Sequence, residues 1–233
     1  MKTLGIIGGI GPESTIDYYR SIIALYKQHT DAEHQPPILI QSINLKQMQE
    51  WFAADRWDEV TEYLFSNVYN LARGGADFGI LAANTAHIVF DELAARSPIP
   101  LISIVEVTCK EAKKQGLKRL GLIGTKYTMQ APFYPNAVER ARLKLVIPNE
   151  TEIAAIHNIY FNELLYNQFK PESRQIILQV VQRLHQAEQI DGLILGGTEL
   201  PLLLRDSIVP GVSFLDTTRI HVERIVSELL ADR

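Results

Sequence analysis

Leu4-Gly5-Ile6-Ile7-Gly8 returns 116 residues later as Leu120-Gly121-Leu122-Ile123-Gly124, and that echo decides how the chain is read. Two further echoes follow in the same order. Ala82-Ala83-Asn84-Thr85-Ala86-His87 is answered at an offset of 114 by Gly196-Gly197-Thr198-Glu199. Pro100-Leu101-Ile102-Ser103-Ile104-Val105-Glu106 is answered at an offset of 110 by Pro210-Gly211-Val212-Ser213-Phe214-Leu215-Asp216. Three echoes in one order at nearly one spacing point to two similar halves related by duplication.

Each half alternates short apolar runs with longer amphipathic stretches, the pattern of parallel βαβ units. Strands are predicted over 4–8, 37–43, 78–82 and 100–104, and again over 120–124, 144–147, 192–195 and 211–214. Ser14 to Gln28 reads as a helix capped by its Ser and Thr. Trp57 to Arg73 carries Val60, Leu64, Val68 and Leu71 at helical spacing and stops before Gly74-Gly75. Ser173 to Gln189 repeats the pattern with Ile176, Ile177, Val180, Val181 and Leu184. The expected fold is α/β: two pseudo-symmetric parallel-sheet halves, with a ligand cleft between their strand ends. Residues 1–98 plus 215–233 are expected to form the first half and 99–214 the second.

Composition narrows the function. The 233 residues are 46% hydrophobic and carry 23 basic and 27 acidic side chains, a net charge of −4. That mild acidity, with no dense Lys/Arg tract, argues against a nucleic-acid or membrane-surface partner. The chain has one cysteine, Cys109, which excludes an internal disulfide and fits a reducing compartment. The opening residues are too short and Gly-rich for a signal peptide's apolar region. No apolar run approaches the ~20 residues of a membrane span, so the cytoplasm is the expected location. The six histidines show no paired ligand spacing, which gives no metal site. Gly8-Gly9-Ile10-Gly11-Pro12-Glu13-Ser14 is a tight strand-to-helix turn. Its spacing is not that of a dinucleotide loop, and Pro12 removes one N–H donor.

The two segments that close the apolar runs at 81 and 195 read as polar floors. Asn84 and Thr85 are donors for a carboxylate or caps of the helix that follows. His87 is an acid/base or a group satisfied by a local hydrogen bond. Thr125 follows the strand at 120–124 and is placed to donate. Thr198 is the counterpart of Asn84. Glu199, the one acid on either floor, is a base or a capping carboxylate for a helix at 200–205. Cys109 lies in Thr108-Cys109-Lys110-Glu111-Ala112 and reads as a core or helix-surface thiol rather than a nucleophile.

On these residues the chain resembles the aspartate/glutamate racemase family nearly end to end. The matching stretches are Gly5-Ile6-Ile7-Gly8-Gly9 with Glu13-Ser14-Thr15, Asn84-Thr85-Ala86-His87, and Leu122-Ile123-Gly124-Thr125-Lys126-Tyr127-Thr128-Met129 with Phe133-Tyr134. Gly196-Gly197-Thr198-Glu199 and Phe214-Leu215-Asp216-Thr217-Thr218 complete the set. The resemblance implies a cofactor-free amino-acid racemase (an isomerase), a homodimer, with the C-terminal helix returning to the first half. It implies two cysteines facing the substrate α-carbon from opposite sides, one removing the α-proton and the other returning one. Here those positions are Ala83 and Gly197, and neither moves a proton. His87 and Glu199 are the titratable substitutes on the floors. The resemblance assigns Asn84, Thr85, Thr125 and Thr198, with Ser14 nearby, to the substrate's α-carboxylate, and Lys46 is the candidate cation for a side-chain carboxylate.

Three activities follow from this pattern. One is weak racemisation with substitute acid/bases. Another is a lyase or decarboxylase with one protein base or none, in a pocket enlarged by Ala83 and Gly197. The third is a non-catalytic binder of a small amino acid or carboxylate. If the scaffold is otherwise competent, restoring Cys at 83 and 197 is expected to confer racemisation.

Overall fold

The computed structural model describes residues 1–30, 34–204, 206 and 208–231. The chain divides into two units. The first is Met1–Ile104 with His221–Arg233, and the second is Val105–Ile220.

The first unit runs β1 (Leu4–Gly8), α1 (Pro12–Gln28), β2 (Ile38–Ser42), α2 (Leu45–Ala53), α3 (Trp57–Arg73), β3 (Phe78–Leu81), a 3-10 turn (Thr85–Val89) and α4 (Phe90–Arg96). Its sheet has the order β2-β1-β3 and is parallel throughout, with Leu4 opposite both Ile38 and Phe78. β1 and β3 are buried at every residue, as expected for parallel strands covered on both faces. The strand expected over 100–104 is a single bridge, Gly79 to Leu101. Pro98 and Pro100 remove two donors, and α5 (Ile104–Lys114) begins before a ladder can extend. The far part of the chain completes this core. Val222, Ile225, Val226 and Leu229 pack with Leu4, Ile6, Tyr18, Ile22 and Ile80.

The second unit repeats the plan: β4 (Arg119–Gly124), α6 (Lys126–Gln130), α7 (Phe133–Arg140), β5 (Lys144–Val146), α8 (Glu150–Asn162), α9 (Pro171–Glu188), β6 (Gly192–Gly196), α10 (Leu200–Leu203) and β7 (Ser213–Asp216), followed by α11 (Thr217–Leu230), which spans the boundary between the units. The sheet order is β5-β4-β6-β7, again parallel. β7 starts two residues later than the sequence predicts, because Gly211 takes a left-handed turn (φ 84°) ahead of it. α10 ends at Leu203; residue 205 of the expected helix lies outside the described residues.

Local signals explain the helix starts, with one correction. α1 opens at Pro12, not Ser14, and its N-terminus has no side-chain cap. Pro12 takes the position where a missing N–H costs nothing. Thr15 instead turns its hydroxyl outward to accept the Gly9 N–H at 2.8 Å. α8 has a full capping box, Asn149 with Glu152. The Glu152 carboxylate also accepts from Nε and Nη2 of Arg183 in α9, each at 2.5 Å. Such a two-toothed pair fixes orientation as well as proximity. Ile153, Ile156, Ile159 and Tyr160 form the buried face of α8, so the box and the Arg183 clamp set where Tyr160 points.

No helix among the described residues is long and apolar enough to cross a membrane.

Candidate functional site

In the first unit the carboxyl ends of three adjacent strands carry the candidate residues. β1 leads to the Gly-rich turn and Ser14, β2 to Lys46, and β3 to Ala83, Asn84 and Thr85. Ser14 and Asn84 are each 3% exposed, Thr85 is partly buried, and Lys46 is exposed near the start of α2. Asn84 is not the side-chain cap that one reading of the sequence made it. It precedes a 3-10 turn rather than an α-helix, and its side chain makes no capping bond there.

His87 is a structural group in this arrangement. Its Nε2 accepts the Ile104 N–H at 3.3 Å, which places the ring proton on Nδ1, and Nδ1 donates to the Ala83 carbonyl at 3.0 Å. Burial holds its pKa down to about 4. A second histidine works on the same segment. His221 Nε2 donates to the Ile102 carbonyl at 3.0 Å, and Nδ1 pairs with the Tyr18 hydroxyl at 2.8 Å. Burial, with His87 nearby, takes His221 to about 3. Two neutral imidazoles of fixed tautomer therefore pin residues 102–104 just after the Leu101 bridge. A ring with both nitrogens engaged in backbone positioning is poorly placed to shuttle protons, so the acid/base expectation for His87 gives way to this one.

In the second unit the paired residues Gly124 and Gly196 end adjacent strands, so Thr125 and Gly197 leave the sheet side by side. Thr125 caps α6: its hydroxyl accepts the Thr128 N–H at 3.2 Å. Thr198 and Glu199 are 9% and 5% exposed. Glu199 does not cap α10 through its side chain, which makes no capping bond there. Its Oε2 instead receives the Thr198 hydroxyl at 2.8 Å and the hydroxyl of Tyr160 from α8. Tyr160 is buried, and burial first, then the Glu199 charge, pushes its phenol well above the ordinary tyrosine range. His157, one turn earlier on α8, accepts the Lys126 N–H at 3.4 Å, and its ring meets Tyr127 edge-on. α8 thus covers this floor with His157 over the β4 end and Tyr160 over the β6 end.

Tyr160 also corrects the expectation of an enlarged pocket at Gly197. A Cβ built on Gly197 would lie 2.5 Å from Cε2 and 2.6 Å from the hydroxyl oxygen of Tyr160. Ordinary carbon contacts lie near 3.5–4.0 Å. The space opened by the missing side chain is already filled by the phenol. The sequence did hold half of the signal, since Asn149-x-x-Glu152 marks the start of α8 and its apolar spacing turns Tyr160 inward. Nothing in the sequence couples Tyr160 to Gly197.

Cys109 sits in α5, is 3% exposed, and its thiol is pushed up to about 11, chiefly by burial. Beside it, Lys110, Lys113 and Arg140 line a concavity of about 280 Å³ between α5 and α7 that includes none of the floor residues. Among the described residues no cluster of His, Cys, Asp and Glu has the makings of a metal site.

Two parallel α/β units with small, polar strand-end floors define the class. The model of the Asp/Glu/Hydantoin racemase family matches residues 7–225, and the chain belongs to that family. Among curated relatives, the broad specificity amino-acid racemase RacX of Bacillus subtilis is 26% identical over 237 residues, covering 98% of each chain. Among solved structures, a Yersinia pestis protein assigned as an Asp/Glu racemase superposes with a TM-score of 0.91 at 32% identity, covering 99% of this chain and 100% of that one. An aspartate racemase homologue from Pyrococcus horikoshii OT3 gives a TM-score of 0.84 at 34% identity, covering 98% and 99%.

Proposed function

We propose that this family member binds a small amino acid or related carboxylate, aspartate- or glutamate-like, without a cofactor and without two-thiol racemisation. The observation that carries this reading is the placement of sulfur. The positions that the family resemblance gives to its thiols are Ala83 and Gly197, while the one thiol in the chain is buried in α5 and held protonated at neutral pH. The buried donors Asn84, Thr125 and Thr198, with Thr85 and Ser14, are assigned to the α-carboxylate, and Lys46 to a second acidic group. The breadth of RacX supports testing more than one amino acid. On the same resemblance the protein is assigned to the cytoplasm as a homodimer.

A lyase-type reaction, with one proton transfer, is the second reading. The observation favouring it is the asymmetry of the floors: Tyr160 and Glu199 bring a proton-carrying pair to one, while Ala83 leaves the other without a titratable group at the matching position.

Calorimetric titration with the L- and D-forms of the proteinogenic amino acids tests the binding. Hydrogen bonds to a charged group contribute about 1.5–3 kcal/mol each. Thr198→Val and Asn84→Ala are therefore expected to weaken affinity about tenfold or more, and Cys109→Ser to leave it unchanged. Chiral chromatography should find racemisation of L-aspartate and L-glutamate near background. Failure to bind any of the amino acids, or racemisation that Cys109→Ser abolishes, contradicts the reading.

A further inference from the structure

Gly197 is a glycine for a reason that its own backbone does not supply. Its φ is not in the left-handed region, so an L side chain is allowed there on conformational grounds. What stands in its way is Tyr160, whose hydroxyl oxygen, Cε2 and Cζ would lie 2.6, 2.5 and 2.9 Å from the added Cβ, so that the ring would have to move to admit one. The phenol head occupies the volume where a residue-197 side chain would begin. It is also held there chemically, because its hydroxyl donates to Glu199 Oε2, the same oxygen that the Thr198 hydroxyl reaches at 2.8 Å. The backbone N–H of Glu199 in turn favours negative charge on the phenol oxygen.

We propose that Tyr160, backed by Glu199, is the catalytic acid/base of this floor, standing in for the second thiol. The proposal rests on the reading that the floors hold an amino acid by its carboxylate. A neutral phenol is a weak base and a free phenolate is disfavoured in this buried setting, so the two groups act together. The phenol oxygen takes the α-proton while its own proton passes along the hydrogen bond to the Glu199 carboxylate. The electron pair of the broken C–H bond moves into the substrate's carboxylate as an enolate, and Glu199 ends protonated. Reversal returns a proton to the same face. Ala83, at the position that the resemblance gives to the other thiol, carries no proton-transfer group. The consequence is α-proton exchange with solvent and retention of configuration.

The test is proton NMR in deuterated water, following the α-proton of each amino acid that calorimetry shows to bind, with chiral chromatography of the recovered material. The wild-type protein is expected to replace the α-proton by deuterium without changing the enantiomer. A single proton-transfer group contributes about 10²–10⁴-fold. Tyr160→Phe is therefore expected to slow exchange by about 100-fold or more while affinity changes by less than about threefold. Glu199→Gln should slow exchange comparably, a loss that a purely packing role of the phenol would not produce. Binding without exchange in the wild type, exchange at an undiminished rate in Tyr160→Phe, or exchange with inversion overturns the proposal and leaves the binding reading standing. Absence of binding overturns that underlying reading itself.

Discussion

Ala83→Cys/Gly197→Cys is expected to leave racemisation of L-aspartate and L-glutamate near background, whereas the same pair combined with Tyr160→Ala is expected to raise it by about 100-fold or more. The reason is steric before it is chemical. A thiol at 197 and the phenol of Tyr160 compete for one volume, since the first side-chain atom alone would lie 2.5 Å from Cε2. In the double variant the cysteine is forced off its proper geometry or displaces a tyrosine held by Glu199. Removing the phenol frees the volume, and the new thiol fills part of the void. With a thiol placed at each of the two positions, each proton-transfer group adds its usual factor of about 10²–10⁴. Chiral chromatography on variants shown to be folded by circular dichroism measures the effect. A double variant that gains as much activity as the triple contradicts the account of Tyr160.

The second large effect is acid lability. His87 and His221 are neutral in the folded protein, with pKa values held down to about 4 and about 3, below the ordinary 6.5. The unfolded chain therefore takes up protons first as pH falls, and stability rises with pH across this window. The full stability is present above about pH 6.5 and is lost as pH falls towards 4 and then 3. Each tenfold drop in proton affinity on folding corresponds to about 1.4 kcal/mol, so the loss approaches roughly 3 kcal/mol from His87 and somewhat more from His221. Protonation also turns each accepting nitrogen into a donor. His87 Nε2 would then face the Ile104 N–H, so the segment at 102–104 loses its anchor. Urea denaturation from pH 7 to 4.5 should show this slope, reduced by about 1.4 kcal/mol per pH unit in His87→Gln and again in His221→Gln. Stability that is flat down to pH 4.5 contradicts it.

Much of the fold was legible because it rests on local pattern. β1, β3, β4 and β6 are continuous apolar runs ending in small residues, and buried parallel strands must read that way. The repeated plan of the two halves was visible as echoed strands and floors, and both sheets keep the same inner order. The apolar run at 100–104 reads as a strand because it continues into α5, yet it forms only the bridge at Leu101. Helix starts went astray at α1, where Pro12 rather than a hydroxyl residue opens the helix. The floors were legible as polar turns after strands, but the partners of their side chains were not. His87, Glu199 and Asn84 each fit a cap or an acid/base by type, and only the surrounding structure assigns the hydrogen bonds. Tyr160 was invisible as a site residue because its contact to Glu199 joins positions 39 apart, through a helix whose inward face looks like ordinary core.

The most direct measurement is a double-mutant cycle on stability between Gly197→Ala and Tyr160→Ala. Forcing one methyl group into a filled site costs about 1–3 kcal/mol. Gly197→Ala should therefore destabilise the wild type by about that amount and cost nearly nothing in the Tyr160→Ala background, a coupling of at least about 1 kcal/mol between residues in contact. Additive effects, with Gly197→Ala costing the same with and without the phenol, would show that Tyr160 does not fill the space beside Gly197.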